Sequence, residues 1–132
     1  MSQANVETVR RAITAINARD IDAYLACCTE NVEWRTPLEA FGDAYEGREG
    51  IKRWLADIED AAPDFQIELD GLKAIGGNRV LAFLRTSSSG RASGISLGFE
   101  ATNVYDFIDG KIRRIRLFLA RDEALKAAGL EQ

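Results

Sequence analysis

The sequence predicts one small α+β domain, and three observations lead to that prediction. Apolar residues recur mostly with a helical period of about 3.6 before Pro63 and with a strand period of 2 after it. The dipeptide Asp109-Gly110 separates two alternating segments and is typical of a type I′ hairpin turn. The 132 residues contain no linker, repeat or low-complexity segment, so one domain is expected to cover residues 1–132. Helices followed by an antiparallel sheet are typical of the α+β class.

Four segments predict helices because their apolar residues lie three or four positions apart. They cover residues 5–18, 21–28, 47–58 and 121–129. Asp20 precedes the second segment and can cap it through its carboxylate.

Five segments predict strands because apolar and polar residues alternate in them. They cover residues 32–36, 65–69, 80–86, 95–108 and 111–119. Pro37 ends the first strand, and residues 38–46 predict a loop.

Alternation on the last two strands predicts which side chains face the interior. We expect the inner face to carry Phe99, Ala101, Asn103, Tyr105, Phe107, Ile115, Leu117 and Leu119. Glu100 and Asp106 then face out, where carboxylates are more easily left in water. The outer face of the last strand would carry Arg114, Arg116 and Phe118.

The absence of histidine excludes several kinds of active site. Without it the chain can form neither a Ser-His-Asp nor a Cys-His nucleophile system. The chain also lacks a Cys-x-x-Cys motif, so a zinc site is not expected. We therefore expect neither a metal nor an organic cofactor.

Charge and hydropathy point away from nucleic acid and membranes. The net charge is −4, and the one short basic run, Arg113-Arg114 with Arg116, is not the broad positive footprint of a nucleic-acid-binding protein. No segment approaches the roughly 20 apolar residues of a membrane span. The adjacent Cys27 and Cys28 are poorly placed to pair with each other, and the N-terminus lacks a signal pattern, so we expect buried thiols and a cytoplasmic location.

Three stretches resemble SnoaL-like and ketosteroid-isomerase-like proteins of the nuclear-transport-factor-2-like superfamily. They are VRRAITAINARDIDAYLACCTENVEWRTP, YEGREGIKRWLADIEDAAPDF and ASGISLGFEATNVYDFIDGKIRRIRLFLARDEALKAAGL. This resemblance covers nearly the whole chain. It implies a curved antiparallel sheet wrapped around N-terminal helices, forming a cone with one apolar pocket, and a homodimer through the outer sheet face.

The resemblance also implies positions for the family's catalytic groups, and this sequence departs from them. The isomerase base falls on Thr36, and its two oxyanion donors fall on Ala12 and Asn103. The cyclase acid–base pair falls on Asn103 and Leu117. In the epoxide-hydrolase pattern the last-strand Asp again falls on Leu117, and an Asn falls on Arg35. Each mechanism loses at least one indispensable group, so the catalytic residues stay unknown.

Nine residues are candidates for binding a ligand in the implied pocket. They are Tyr24, Trp34, Arg35, Tyr45, Trp54, Arg85, Asn103, Tyr105 and Leu117. Asn103 could orient a ligand carbonyl or hydroxyl, or it could bond a neighbouring strand. The aromatic residues could line the pocket or simply pack the core, and the two arginines could bind an anion or form structural ion pairs. Which face of the first strand points inward is left open.

Three functions remain open at this stage. The first is a pocket for a small, mostly apolar or aromatic metabolite of polyketide, terpenoid or steroid size. The second is an isomerase, cyclase or hydrolase that uses a carboxylate base such as Glu33 or Glu100. The third is a dimeric interaction module that works through Arg114, Arg116 and Phe118.

Overall fold

The computed structural model describes residues 2–35, 44–88 and 97–129. Its helices are α1 (Ser2–Ala18), α2 (Ile21–Leu25), α3 (Gly47–Ala61) and α4 (Arg121–Ala127). Its strands are β1 (Cys28–Arg35), β2 (Ala44–Glu46), β3 (Gln66–Ile75), β4 (Arg79–Ser88), β5 (Leu97–Ile108) and β6 (Lys111–Phe118). Thr36, most of the predicted loop over 38–46 and the predicted strand start at 95–96 lie outside the described residues.

The strands form one curved, unclosed sheet in the order β2-β1-β6-β5-β4-β3, with the N-terminal helices against it. This confirms the predicted α+β class. Neighbouring strands run antiparallel, apart from β1 and β6, which pair in parallel. A hairpin forces antiparallel pairing only between strands that are close in sequence, and β1 and β6 are not.

The end of α1 is fixed by one side chain that bonds to β3 and by the two residues that follow the helix. The Asn17 amide donates to the Ile67 carbonyl at 2.9 Å and accepts from the Ile67 N–H at 2.8 Å, as a paired strand would. Arg19 takes a left-handed conformation with φ 60°, which stops the helix. Asp20 then caps α2 by accepting from the Ala23 N–H at 3.1 Å, which confirms the predicted cap.

The predicted second helix was too long. Helix α2 ends at Leu25, and Cys28 instead begins β1, where it pairs with Ile112 of β6. Strand pairing therefore overrides the helical spacing of Cys28. Both cysteines are buried and free.

The β5–β6 hairpin turns as predicted at Asp109-Gly110. The φ angles of these residues are 52° and 79°, and a type I′ turn requires positive values at both. Strand β6 ends at Phe118, so Leu119 is 52% exposed and the prediction that it faces inward was wrong.

Two apolar clusters cover the two faces of the sheet. The larger lies between the concave face and helices α1 to α3. The smaller lies on the outer face, where Ala124 and Ala128 in and just after α4 pack on Leu81 and Val104. Among the described helices, none has the length and apolar character that a bilayer span requires.

Candidate functional site

A cavity of about 140 Å³ lies between the concave face of the sheet and the N-terminal helices. It is partly open to solvent, and its described lining is almost entirely apolar. An apolar cavity of about this size, roughly 150 Å³, is enough to hold one benzene ring. The space therefore suits one ring or a similar compact group.

Aromatic rings form one wall of the cavity. The Trp54 ring centroid lies 5.1 Å from that of Trp34 and 6.0 Å from that of Tyr24, with tilted planes. These three rings come from α3, β1 and α2, so the wall is assembled only when the helices dock on the sheet. Offset aromatic contacts of this kind hold their rings in place.

Two polar side chains of β5 lie in the mostly apolar lining, to which β4 adds the hydroxyls of Thr86, Ser87 and Ser88. Asn103 and Tyr105 lie on the same strand face, and the Asn103 Nδ2 donates to the Tyr105 hydroxyl oxygen at 3.3 Å. Both residues are buried, at 5% and 2% exposure. Within the described part of the chain the Asn103 Oδ1 has no hydrogen-bond partner. A buried acceptor of this kind normally finds a partner, so this atom is a candidate to accept a hydrogen bond from a bound molecule.

The tyrosines of the cavity stay protonated near neutral pH. Burial raises the pKa of Tyr105 to about 12, against a lowering effect of its hydrogen bond with Asn103. Burial also raises the pKa of Tyr24, with smaller contributions from Cys28 and Tyr105. Both phenols are therefore hydrogen-bonding groups here rather than bases.

No carboxylate or cationic side chain is among the described residues that line the cavity. The lining hydroxyl of Ser88 donates to Asp64 at 3.1 Å. Glu33 and Glu100, the two carboxylates considered as bases, lie on the opposite face of their strands from Trp34 and Phe99.

Six of the nine candidate residues line the cavity together. They are Tyr24, Trp34, Trp54, Asn103, Tyr105 and Leu117. The placement of Trp34 settles the first strand, whose odd-numbered side chains at Glu33 and Arg35 point outward. Sequence reasoning missed the contributions of β3 and β4, such as Ile67 and Leu84. Alternation along these strands was visible, but nothing in it showed which face meets the cavity.

The other three candidates lie outside this lining and contact protein groups. Arg35 is exposed and pairs with Glu33 at 3.4 Å. Arg85 is exposed and pairs with Asp70 at 2.9 Å, which lowers the pKa of that carboxyl through a hydrogen bond. The Tyr45 hydroxyl donates to Asp57 at 2.8 Å.

The outer face of the same sheet carries a cluster of charges around Asp106, which we call the Asp106 cluster. Asp106 accepts from Arg79 at 2.6 Å, from Arg114 at 3.0 Å and from Arg116 at 3.2 Å. The carboxylate is mostly buried, with 15% of its side chain exposed. Burial lowers the pKa of Arg116, partly offset by the charge of Asp106. Asp106 faces outward as predicted, but three guanidinium groups rather than water surround its carboxylate.

Among the described residues, no group of three or more His, Cys, Asp or Glu side chains is placed to hold a metal ion.

Comparison with known proteins identifies relatives of the whole domain. The family model of the SnoaL-like domain matches residues 9–115. A search of curated protein sequences returned no match.

Solved structures give the same result for the fold. Bal32a from a soil-derived mobile gene cassette is 24% identical, with a TM-score of 0.82 and 89% of each chain covered. An uncharacterised cystatin-fold protein from Novosphingobium aromaticivorans is 27% identical, with a TM-score of 0.76, and 89% of this chain and 98% of that one are covered. A protein described as a SnoaL-like polyketide cyclase from Jannaschia sp. CCS1 is 19% identical, with a TM-score of 0.78, and 99% of this chain and 94% of that one are covered.

Proposed function

We propose that this chain, which belongs to the SnoaL-like domain family, binds a small, neutral, mostly apolar metabolite in its cavity. The observation that carries the proposal is the buried Asn103 acceptor, which lacks a partner among the described residues and lies in a mostly apolar lining. Small-molecule sites typically combine an apolar wall with a few placed polar groups. The absence of charge from the described lining favours an uncharged ligand.

The size of the cavity limits how much of the ligand is enclosed. About 140 Å³ accommodates one ring, whereas drug-sized ligands occupy roughly 300 Å³ or more. A molecule of polyketide, terpenoid or steroid size would therefore insert one ring. The rest of it would extend through the open side of the cavity.

A catalytic role as an isomerase, cyclase or epoxide hydrolase is the less favoured alternative. It needs a base beside the ligand, and the carboxylates proposed for that role, Glu33 and Glu100, lie on the outer face. The buried phenols are poor bases because their pKa values are raised. We expect any turnover to be unchanged in Glu33→Gln and Glu100→Gln. A loss of turnover in either variant would favour the enzyme.

The binding proposal is tested by filling the cavity. Leu117 lines it, so Leu117→Phe should reduce the affinity for a ring compound such as cyclohexanol by about tenfold or more, because the added ring atoms take up the space. Trp34 and Trp54 also line the cavity, and their fluorescence reports binding. The matched control is Leu119→Phe, two residues further on and exposed. Equal affinities in the two variants would contradict the proposal.

We further propose that two copies associate through the outer face of the sheet. Strand registers align a row of charged residues across it, in the order Glu46, Glu33, Arg114, Asp106 and Arg79. One half of this row is acidic and the other contains the basic groups. A two-fold axis near its middle would place the acidic half of one copy against the basic half of the other.

Charge reversal tests this association. Glu33→Lys should weaken it about tenfold or more, whereas Glu68→Lys on β3 lies outside the row and should not. Analytical ultracentrifugation measures both. An unmodified protein that is monomeric at micromolar concentration would contradict the dimer. The two free, buried cysteines also fit a reducing compartment, and we propose a cytoplasmic location.

A further inference from the structure

We propose that the ligand enters the cavity with a hydroxyl group, which Asn103 and Tyr105 bind together, one as donor and the other as acceptor. This inference rests on the proposed function, since it names the chemical group that the same cavity recognises. The two residues are those joined by the 3.3 Å hydrogen bond on β5.

The donor and acceptor count of the pair carries the inference. The Asn103 Nδ2 donates to the Tyr105 oxygen, which leaves the Tyr105 O–H as a donor and the Asn103 Oδ1 as an acceptor. Rotating the amide by 180° reverses the shared bond, and the Asn103 N–H becomes the donor while the Tyr105 oxygen keeps a free lone pair. In either orientation the pair presents at least one free donor and at least one free acceptor. A single group that both donates and accepts satisfies both atoms.

Other common polar groups satisfy the pair less well. A ketone or an ether accepts hydrogen bonds but donates none, so the acceptor of the pair would stay buried and unpaired. A carboxylate would bring a charge into a cavity whose described lining has no lysine or arginine. A hydroxyl can make the same hydrogen bonds that a water molecule would make there. The apolar ring that carries the hydroxyl can then occupy the rest of the cavity.

The position of the pair indicates which end of the ligand it meets. Ser87 and Gly98 are exposed, line the cavity, and also line a wider surface groove of about 340 Å³, so they mark the open side. Asn103 lies five residues further along β5, which is about 16 Å at roughly 3.3 Å per residue. The pair therefore stands at the inner end, and the hydroxyl enters first.

Four ring compounds of similar size test the inference. Cyclohexanol, cyclohexanone, methoxycyclohexane and methylcyclohexane are titrated into the protein, and Trp34 and Trp54 fluorescence gives each Kd. The quantity compared is the ratio of the methylcyclohexane Kd to the cyclohexanol Kd. It should fall by about tenfold or more in the double variant Asn103→Leu with Tyr105→Phe. Thr102→Val, which removes a buried hydroxyl of β5 outside the cavity lining, should leave the ratio unchanged.

The Kd values of the four compounds distinguish the hydroxyl inference from the proposed function. A ratio that falls in the double variant alone, with cyclohexanol bound more tightly than cyclohexanone and methoxycyclohexane by the unmodified protein, supports the hydroxyl. Binding of all four compounds with the same ratio in every variant overturns the hydroxyl inference and leaves the proposed function standing. Cyclohexanone or methoxycyclohexane bound as tightly as cyclohexanol also overturns it. If none of the four binds, the proposed function fails and the inference fails with it.

Discussion

The two faces of the same sheet bury polar groups in opposite ways. On the outer face Asp106 accepts hydrogen bonds from three arginines and has its partners within the protein. On the concave face Asn103 keeps an acceptor that has none among the described residues. Burial without a partner costs free energy, so we expect the outer arrangement to stabilise the fold more than the inner one does. Asn103 and Asp106 are both polar residues of β5, three positions apart, but only Asp106 has a full set of hydrogen-bond partners among the described residues.

The largest expected effect is at the Asp106 cluster. Asp106→Asn leaves three guanidinium groups, of which Arg116 is the most buried, without their counter-charge. Removing one partner of a buried ion pair costs about 3–5 kcal/mol, and partial exposure here reduces the expected loss to about 2–3 kcal/mol. Urea denaturation measures the change in the free energy of unfolding.

The matched control for this substitution is Asp70→Asn. Asp70 also holds an arginine, Arg85, but both side chains are exposed. The free energy of unfolding should fall much less in Asp70→Asn than in Asp106→Asn, because exposed ion pairs are screened by water. Similar losses in the two variants would show that the Asp106 cluster is no more important than a surface pair.

The second effect is a loss of stability at alkaline pH that involves the concave face. The pKa of Tyr105 is about 12 when folded against 10.0 as the ordinary value, so the folded chain holds this proton where the unfolded chain releases it. The free energy of unfolding should therefore fall between pH 10 and 12, by about 1 kcal/mol at pH 11 for this group, and be unaffected by it below pH 9.

The variant Tyr105→Phe identifies this contribution. Its alkaline decline should be shallower than that of the unmodified protein, which urea denaturation at pH 7 and pH 11 measures. Cys28 and Tyr24 also have raised pKa values, so some decline remains. Parallel curves for the two proteins would mean that Tyr105 ionises at the same pH in the folded and unfolded chains.

The smallest expected effect is at Asn103 on the concave face. Asn103→Leu removes a buried acceptor that lacks a described partner, so the free energy of unfolding should change by less than about 1 kcal/mol or even rise. Thermal unfolding without ligand measures it. A loss as large as that of Asp106→Asn would show that Asn103 stabilises the fold, and the contrast between the two faces would disappear.

Much of the fold could be predicted from local patterns. The spacing of Val9, Ile13 and Ile16 predicts α1, and Asp109-Gly110 predicts the hairpin, because helix periodicity and turn chemistry act over a few residues. Resemblance to the family supplied the curvature and the order of the elements. The errors at Cys28 and Leu119 lie at element ends, where pairing with another strand decides the boundary.

The sequence by itself determined the class of the protein, the absence of histidine chemistry and the two faces of β5. Only the tertiary structure decided that Trp34 rather than Arg35 faces the cavity, that Asp106 gathers three arginines, and that no carboxylate is among the described lining residues. The physical reason is distance along the chain. Arg79 and Asp106 are 27 residues apart, and such contacts depend on strand register, which alternation within one strand cannot fix.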